Sequence, residues 1–191
     1  MAARNVNRAR QVAFLRAINV GGRGIVKMAD VQRAFLDAGC TDVTTFIASG
    51  NIVFVAPAGD AERWRAAVRR NIGRLLGAEP TIVYRSMRQL ERLVARAPFG
   101  ELASDRTLKL YIVFASDRTK RRPRFPLELP KEGLEATGMI GDDLLIVSRR
   151  KPNGMYGFPN NWIEKELGIT STARNWSTVV KIVVACENRR P

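Results

Sequence analysis

Residues 43–56 read VTTFIASGNIVFVA, and this stretch decides the fold of the first half of the chain. Its two arms, VTTFIA and NIVFVA, are rich in β-branched and aromatic residues, which is typical of short strands. Between the arms stands the pair Ser49-Gly50, and a glycine-containing pair in that position favours a tight two-residue turn. The stretch therefore predicts a β-hairpin in which the two arms are antiparallel.

One helix and one further strand are predicted on each side of this hairpin. Apolar residues at helical spacing indicate helices at 29–39 and 60–77, and short apolar runs indicate strands at 12–18 and 81–85. The resulting order is β-α-β-β-α-β, a ferredoxin-like arrangement. Both faces of the first strand are apolar, so we expect later residues to cover the face that the two helices leave open.

The second of these helices has clear signals at both ends. Asp60 is placed to cap its start, and Gly77 is placed to end it. Its apolar side, which we expect to face the sheet, consists of Trp64, Val68, Ile72, Leu75 and Leu76.

The residues after 86 predict a second, smaller α+β half. MRQLERLVARA indicates a helix, LKLYIVFAS at 108–116 a strand, and the runs around Gly141-Asp142-Asp143 a second hairpin. Two helices, NWIEKEL and TARNWSTVVKIVVAC, are predicted to follow. The predicted organisation is a flexible basic segment at 1–11, a ferredoxin-like α+β subdomain at 12–86, and an α+β subdomain at 87–191 that packs against it and ends in a helix.

Composition excludes several classes of site. The 191 residues include 2 cysteines and no histidine, so neither a zinc site nor a Ser-His-Asp triad is predicted, and we expect no cofactor or metal. Two isolated thiols are typical of a protein in a reducing compartment. The sequence has no apolar run long enough for a membrane span and no secretory signal, so we expect a cytoplasmic protein without a membrane partner.

The chain is strongly basic, with 32 Lys and Arg against 18 Asp and Glu and a formal net charge of +14. A surplus of this size favours a nucleic-acid partner. The excess is spread evenly over both halves, however, and is not gathered in a tail. Two interpretations stay open, a dispersed arginine surface that contacts nucleic acid and a charge without a ligand. The oligomeric state also stays open.

A glycine cluster follows the first strand, in INVGGRGIVKM at 18–28. It matches neither the GxGxxG dinucleotide fingerprint nor the P-loop. It is either a turn that needs glycine at positive φ or an anion-binding nest of backbone N–H groups beside cations. In a ferredoxin-like sheet the first and second strands are parallel, which places this cluster beside the hairpin turn. The residues of this candidate site are Asn19, Gly21, Gly22, Arg23, Lys27, Ser49, Gly50 and Asn51.

Arg16 is a candidate charge partner for an anion at this site. It lies within the first predicted strand, where it alternates with Phe14 and Ile18. Arginine is rarely buried unless it is paired. Arg16 is therefore either one half of a structural ion pair or a ligand contact.

A second candidate lies in TSTARNWSTVVK, near the end of the sequence. Ser171 or Thr172 is placed to cap the last predicted helix, and Arg174, Thr178 and Lys181 then share one face of that helix. An arginine in a first helical turn opposes the helix dipole. Either an anion bound at the helix N-terminus or a salt bridge to an acidic residue would explain it.

Four ordered motifs, FLRAINVGGRGIVKMADVQ, TFIASGNIVF, KLYIVF and TARNWSTVVK, together resemble a bacterial family called domain of unknown function 1697. The resemblance runs from Val12 to Cys186, and it implies two packed α+β halves in a cytoplasmic bacterial protein. It implies no reaction, because the family has no established activity. The positions that the family pattern marks are Arg16, Asn19, Gly21, Gly22, Lys27, Met28, Ser49, Gly50, Asn51, Thr172, Arg174, Asn175, Trp176 and Thr178.

The chain departs from this family pattern in three places. Ala17, Ala173 and Ser177 stand where glycine, threonine and asparagine are usual. Two polar side chains beside Arg174 are thereby replaced, which weakens the case for catalysis in that segment.

Three functions are compatible with these residues. The first is binding of an anionic ligand, such as a nucleotide, a phosphate ester or a nucleic-acid segment, at the glycine turns 19–27 and 49–51 near Arg16 and Arg174. The second is a non-catalytic protein-interaction module. The third is an enzyme that works without histidine and uses Lys27 or a carboxylate, which requires a strongly shifted pKa. For the binding function, Asn175 and Thr178 complete the set of candidate ligand contacts.

Overall fold

The structure is a computed structural model that describes residues 10–16, 18, 26–47, 50–119 and 122–188. The chain divides into two compact units, one that reaches Leu90 and one that begins at Glu91. Most of the predicted flexible segment at 1–11 lies outside the described residues. Its last two residues, Arg10 and Gln11, belong to the first strand, where they pair with Val55 and Phe54.

The first unit contains four strands and two helices in the described residues. They are β1 (Arg10–Leu15), α1 (Met28–Leu36), β2 (Thr41–Phe46), β3 (Asn51–Val55), α2 (Ala61–Leu76) and β4 (Ile82–Ser86). The strands form a sheet in the order β2-β3-β1-β4, and every neighbouring pair is antiparallel. Because β1 and β2 are both antiparallel to β3, they run parallel to each other.

Helix α2 forms where the sequence predicts it. The Asp60 carboxylate accepts a hydrogen bond from the Glu62 N–H at 2.9 Å, and Gly77 ends the helix in the left-handed conformation with φ 63°. Trp64, Val68 and Ile72 are buried against the sheet, as the apolar spacing predicts. Leu75 is 39% exposed, so the buried side of the helix is narrower than the apolar side that the sequence predicts.

The core of the first unit lies between the sheet and the two helices. Ala13 and Leu15 of β1 pack with Val31 and Phe35 of α1 and with the buried residues of α2. Phe54, Trp64 and Tyr84 meet edge to face, an arrangement that aromatic rings prefer. Burial raises the pKa of the Tyr84 hydroxyl, which is thus kept neutral.

Cys40 belongs to this core, and its thiol is expected to react slowly. Burial raises its pKa to about 11, so at pH 8 its thiolate population is about 100-fold smaller than that of a thiol with the ordinary pKa of 9.0. In a Cys186→Ala variant, which leaves Cys40 as the single thiol, an aromatic disulfide reagent should modify the folded protein at least 100-fold more slowly than the denatured protein. Equal rates would show that Cys40 is accessible.

The second unit is built around a five-stranded sheet. Helix α3 (Met87–Ala95) contains the boundary between the two units, and the later elements are β5 (Lys109–Ala115), β6 (Leu127–Leu129), β7 (Leu134–Ile140), β8 (Asp143–Ser148), α4 (Asn160–Leu167), β9 (Ser171–Asn175) and α5 (Trp176–Glu187). The strand order is β6-β7-β8-β5-β9, again with antiparallel neighbours. The chain thus has the predicted α+β fold, with two antiparallel sheets.

The last predicted helix is wrong at its start. Residues Ser171–Asn175 form strand β9, which pairs with β5 from Ala115↔Ser171 to Tyr111↔Asn175, and the helix begins only at Trp176. Ala173 contributes to the core beneath α4, while Thr172 and Arg174 alternate with it along the strand. Pairing with a distant strand therefore determines the conformation of this segment, and Ser171 and Thr172 do not cap a helix.

The two hairpins differ in their turns. In the first, Phe46 pairs with Asn51, so four residues connect the strands and the predicted two-residue turn is wrong. In the second, Ile140 pairs with Asp143, and the two-residue turn includes Gly141 at φ 66°. Asp142 accepts hydrogen bonds from Thr119, so this turn also holds the segment after β5.

No helix in the described parts of the chain is both long enough and apolar enough to cross a membrane.

Candidate functional site

The end of the first sheet brings the start of the glycine-cluster loop next to the first hairpin. Phe14 pairs with Asn51, and the Leu15 N–H donates to the Gly50 carbonyl at 2.8 Å. On the other side of β1, the Arg16 N–H donates to the Thr81 carbonyl at 3.0 Å. The chain therefore leaves β1 between the hairpin and the entry to β4.

Gly50 is in contact with the loop that follows β1. Its φ is 74°, and a Cβ added to it would lie 2.7 Å from Ile18 Cγ2 and 3.0 Å from Leu15 Cβ. Ile18 is only 3% exposed, so its side chain is packed at this point. Only glycine combines this left-handed backbone with so close an approach. The turn needs glycine here, and that requirement holds whether or not a ligand binds.

Asn51 has a structural role in the hairpin. It is fully buried at the first position of β3, and its Nδ2 donates to the Phe46 carbonyl at 3.0 Å. Buried amide groups are costly unless they are hydrogen-bonded. The side chain therefore closes the four-residue turn from within, a contact that the sequence does not reveal.

The two cations at the ends of this loop have different surroundings. Arg16 is half-buried directly after β1. Lys27 is exposed at the N-cap position of α1, where its carbonyl accepts the Asp30 N–H at 3.0 Å. Within the described residues, the Lys27 side chain makes no ion pair. The remaining predicted members of the site lie outside the described residues; they are Asn19, Gly21, Gly22, Arg23 and Ser49.

Arg174 belongs to the second unit and lies in strand β9. Its side chain is buried, and NH1 donates to Thr172 Oγ1 at 2.7 Å and to the Ala173 carbonyl at 2.8 Å. Burial lowers the pKa of its guanidinium to about 10, because a charge is less favourable away from water. In a strand, residues two apart lie on the same face, which brings Thr172 and Arg174 together. The sequence prediction missed this contact because it assigned the segment to a helix.

The predicted grouping of Arg174, Thr178 and Lys181 on one helix face is wrong. Arg174 precedes α5, so the helix-dipole argument for an anion beside it fails. Asn175 is exposed at the N-cap position of α5 without a side-chain capping bond, and Thr178 is half-buried in the first turn. A role for Arg174, Asn175 and Thr178 in ligand binding stays a prediction.

The part of the chain that the structure describes contains no group of three or more Cys, Asp or Glu placed to hold a metal ion.

The fold and this site together define a class of α+β protein that has two antiparallel sheets. A turn with a buried glycine lies at the end of the first sheet. Residues 9–144 match the family described as "Protein of unknown function (DUF1697)", and the chain belongs to that family. The resemblance in the first three motifs is thereby confirmed. The match ends before β9, so it does not include Arg174.

The fold is similar to that of a solved structure. It is described as "conserved bacterial protein SP0830" from Streptococcus pneumoniae, and it is similar to this chain with a TM-score of 0.62 and 18% sequence identity. The likeness covers 94% of this chain and 98% of that one. At this identity the likeness concerns the fold alone. No curated protein matches the sequence.

Proposed function

We propose that this protein binds a small anionic ligand, a nucleotide or a phosphate ester, at the end of the first sheet. The ligand site would consist of the loop between β1 and α1 together with the turn between β2 and β3. The observation that carries the proposal is the contact of Ile18 and Leu15 with Gly50. Because this contact joins the start of the loop to the turn, backbone N–H groups of both segments can serve one anion.

The first unit is ferredoxin-like in this proposal. The strand order β2-β3-β1-β4 with antiparallel neighbours supports that assignment, since it is the order of a split β-α-β sheet. Such a sheet places the ends of β1 and β2 on the same side. The proposed ligand therefore sits where two parallel strands end and two loops begin.

Charge also favours an anion at this position. Arg16 stands at the start of the loop, Lys27 stands at its end, and Arg23 lies between them in the sequence. A guanidinium group matches two oxygens of a phosphate, and an ammonium group supplies a compact positive charge. Asn19, Gly21, Gly22 and Ser49 are the proposed donors around the phosphate. A contribution from Arg174, Asn175 and Thr178 is a separate proposal.

The proposal is tested by a thermal-shift screen with nucleotides, sugar phosphates and inorganic phosphate at low and high salt. We expect one compound to raise the unfolding temperature saturably and to do so at both salt concentrations. For that compound, Lys27→Gln should weaken binding about tenfold, because one charge-assisted contact is lost. The control is Lys165→Gln, which removes an exposed cation from α4 in the other unit.

Two results would overturn the proposal. One is a screen in which no compound shifts the unfolding temperature, which favours the interaction module. The other is equal binding by the Lys27→Gln and Lys165→Gln variants, because the loop would then carry no ligand contact.

A further inference from the structure

Helix α2 has two faces of opposite character. Trp64, Val68 and Ile72 point into the core of the first unit. On the side opposite to them, at intervals of seven and four residues, lie Arg63, Arg70 and Arg74, and all three are exposed. We call these three residues the α2 arginine stripe.

The charges of the α2 arginine stripe are not neutralised by neighbouring groups. None of its three guanidinium groups makes an ion pair or a hydrogen bond to another described residue. The acid on the same helix, Glu62, lies 3.5 Å from Arg65, which is outside the stripe. An exposed row of unpaired cations leaves all of its donors available to a polyanion.

The neighbouring helix limits the extent of this basic surface. Helix α1 packs beside α2, and Asn71 of α2 donates to the Ala34 carbonyl of α1 at 3.0 Å. The exposed residues of α1 include Asp30 and Arg33, and the residue that follows the helix, Asp37, is also exposed. Of these two neighbouring helices, only α2 therefore has an unbalanced row of positive charge.

We propose that the α2 arginine stripe binds the sugar-phosphate backbone of a double-stranded nucleic acid. From Arg63 to Arg74 the helix rises about 16 Å, because each residue adds about 1.5 Å. A duplex of that length presents about ten phosphate charges, at about one charge per 1.7 Å. A straight row of guanidinium groups can thus meet several phosphates at once, and each group can bind two phosphate oxygens.

The face of the helix favours a duplex over a single strand. Proteins that bind single strands combine cations with exposed aromatic rings on which the bases stack. The one aromatic residue of α2, Trp64, is buried beneath the helix. The stripe consists of cations alone, spaced along one exposed helix face, so we expect it to contact mainly the phosphate backbone and to bind with little regard to sequence.

This surface is separate from the proposed small-ligand site. The stripe lies on the exposed side of α2, whereas Ile18 and Gly50, the described residues where the loop meets the turn, lie at the end of the sheet. A variant in the stripe therefore tests nucleic-acid binding without altering Arg16 or Lys27. Conversely, the thermal-shift screen with small phosphates tests the other site without reference to the stripe.

The test measures the anisotropy of a fluorescent 16-base-pair DNA duplex, and of the same duplex as RNA, with the full chain at several salt concentrations. We expect both duplexes to bind and the logarithm of the binding constant to fall linearly with the logarithm of salt concentration. Replacing the whole stripe should weaken binding at least tenfold and reduce the salt slope by about 2.7, at about 0.9 per phosphate contact. The variant is Arg63→Gln, Arg70→Gln and Arg74→Gln.

The control removes the same charge from another helix. Arg88 and Arg92 of α3, with Arg96 just after it, are also exposed and four residues apart. Circular dichroism should show that both triple variants are folded, because all six side chains are exposed. The control variant is Arg88→Gln, Arg92→Gln and Arg96→Gln, and it should keep most of the binding and most of the salt slope.

Three outcomes would overturn the proposal. Equal losses in the two triple variants would show that only the overall charge attracts DNA. A wild-type chain that binds neither duplex would exclude the interaction. Binding to anionic lipid vesicles under conditions in which both duplexes fail to bind would assign the stripe to a membrane surface instead.

Discussion

Replacing Gly50 with alanine is expected to lower the free energy of unfolding by about 2–4 kcal/mol. The new Cβ would lie 2.7 Å from Ile18 Cγ2 and 3.1 Å from the Leu15 carbonyl oxygen, and the residue would keep φ near 74°. The left-handed backbone alone costs about 1 kcal/mol for alanine, and the overpacking adds about 1–3 kcal/mol. Chemical denaturation of the purified variant measures the sum.

Gly77→Ala is the matched control for this measurement. Gly77 has a similar φ of 63°, but no heavy atom lies within 4 Å of the position of its Cβ. This variant therefore carries the backbone cost without the steric cost, and we expect a loss of about 1 kcal/mol. Equal losses in the two variants would mean that the loop after β1 does not press on the hairpin turn. The observation behind the proposed ligand site would then be lost.

Replacing Arg174 with alanine is expected to destabilise the second unit by about 3 kcal/mol. The change removes a long, buried side chain and leaves a cavity in its place. It also leaves Thr172 Oγ1 and the Ala173 carbonyl without the donor that each now has at 2.7 Å and 2.8 Å. Thermal or chemical unfolding of the variant checks the expected loss.

Arg174→Met separates a structural role from a ligand role. Methionine fills a similar volume and so removes the cavity, but it leaves Thr172 Oγ1 and the Ala173 carbonyl without their donor, as alanine does. We therefore expect this variant to lose about 1–2 kcal/mol, less than Arg174→Ala. If it is as unstable as Arg174→Ala, the guanidinium itself is required for folding. If it is stable but no longer binds the anion that stabilises the wild type, the guanidinium contributes to ligand binding and not to folding.

The elements that the sequence predicted well are those whose signals are local. Helix α2 has a capping aspartate, a terminal glycine and an apolar side at regular spacing, and all three signals lie within its own residues. The hairpin around Gly141 likewise has its turn residues between two apolar runs. In these segments the conformation depends on neighbours along the chain, so a single sequence is sufficient to predict it.

Strand β9 could not be predicted in the same way. It leads into α5 without a glycine or proline between them, and serine and threonine occur in both segments. What makes Ser171–Asn175 extended is its pairing with β5, far earlier in the chain. Contacts between distant segments leave little trace in local periodicity.

The candidate site could be predicted in part, because some of its features depend on local sequence and topology and others depend on packing. The need for glycine at position 50 follows from its place in a turn, and the meeting of that turn with the start of the loop follows from the parallel course of β1 and β2. The particular partners, Ile18 above Gly50 and Phe46 beside Asn51, depend on packing. The position of the site was thus accessible from topology, but the division between structural and ligand-contacting residues was not.

The place of β5 in its sheet has a consequence for synthesis of the chain. Its partner β8 is made about thirty residues later, whereas β9, which covers its other edge, is made only after β8 and α4. Until then β5 is an apolar edge strand, KLYIVFA, and such edges promote aggregation of nascent chains. Translation that stops between β8 and Ser171 would release a chain with this edge uncovered, so premature termination in that interval would yield an aggregating product.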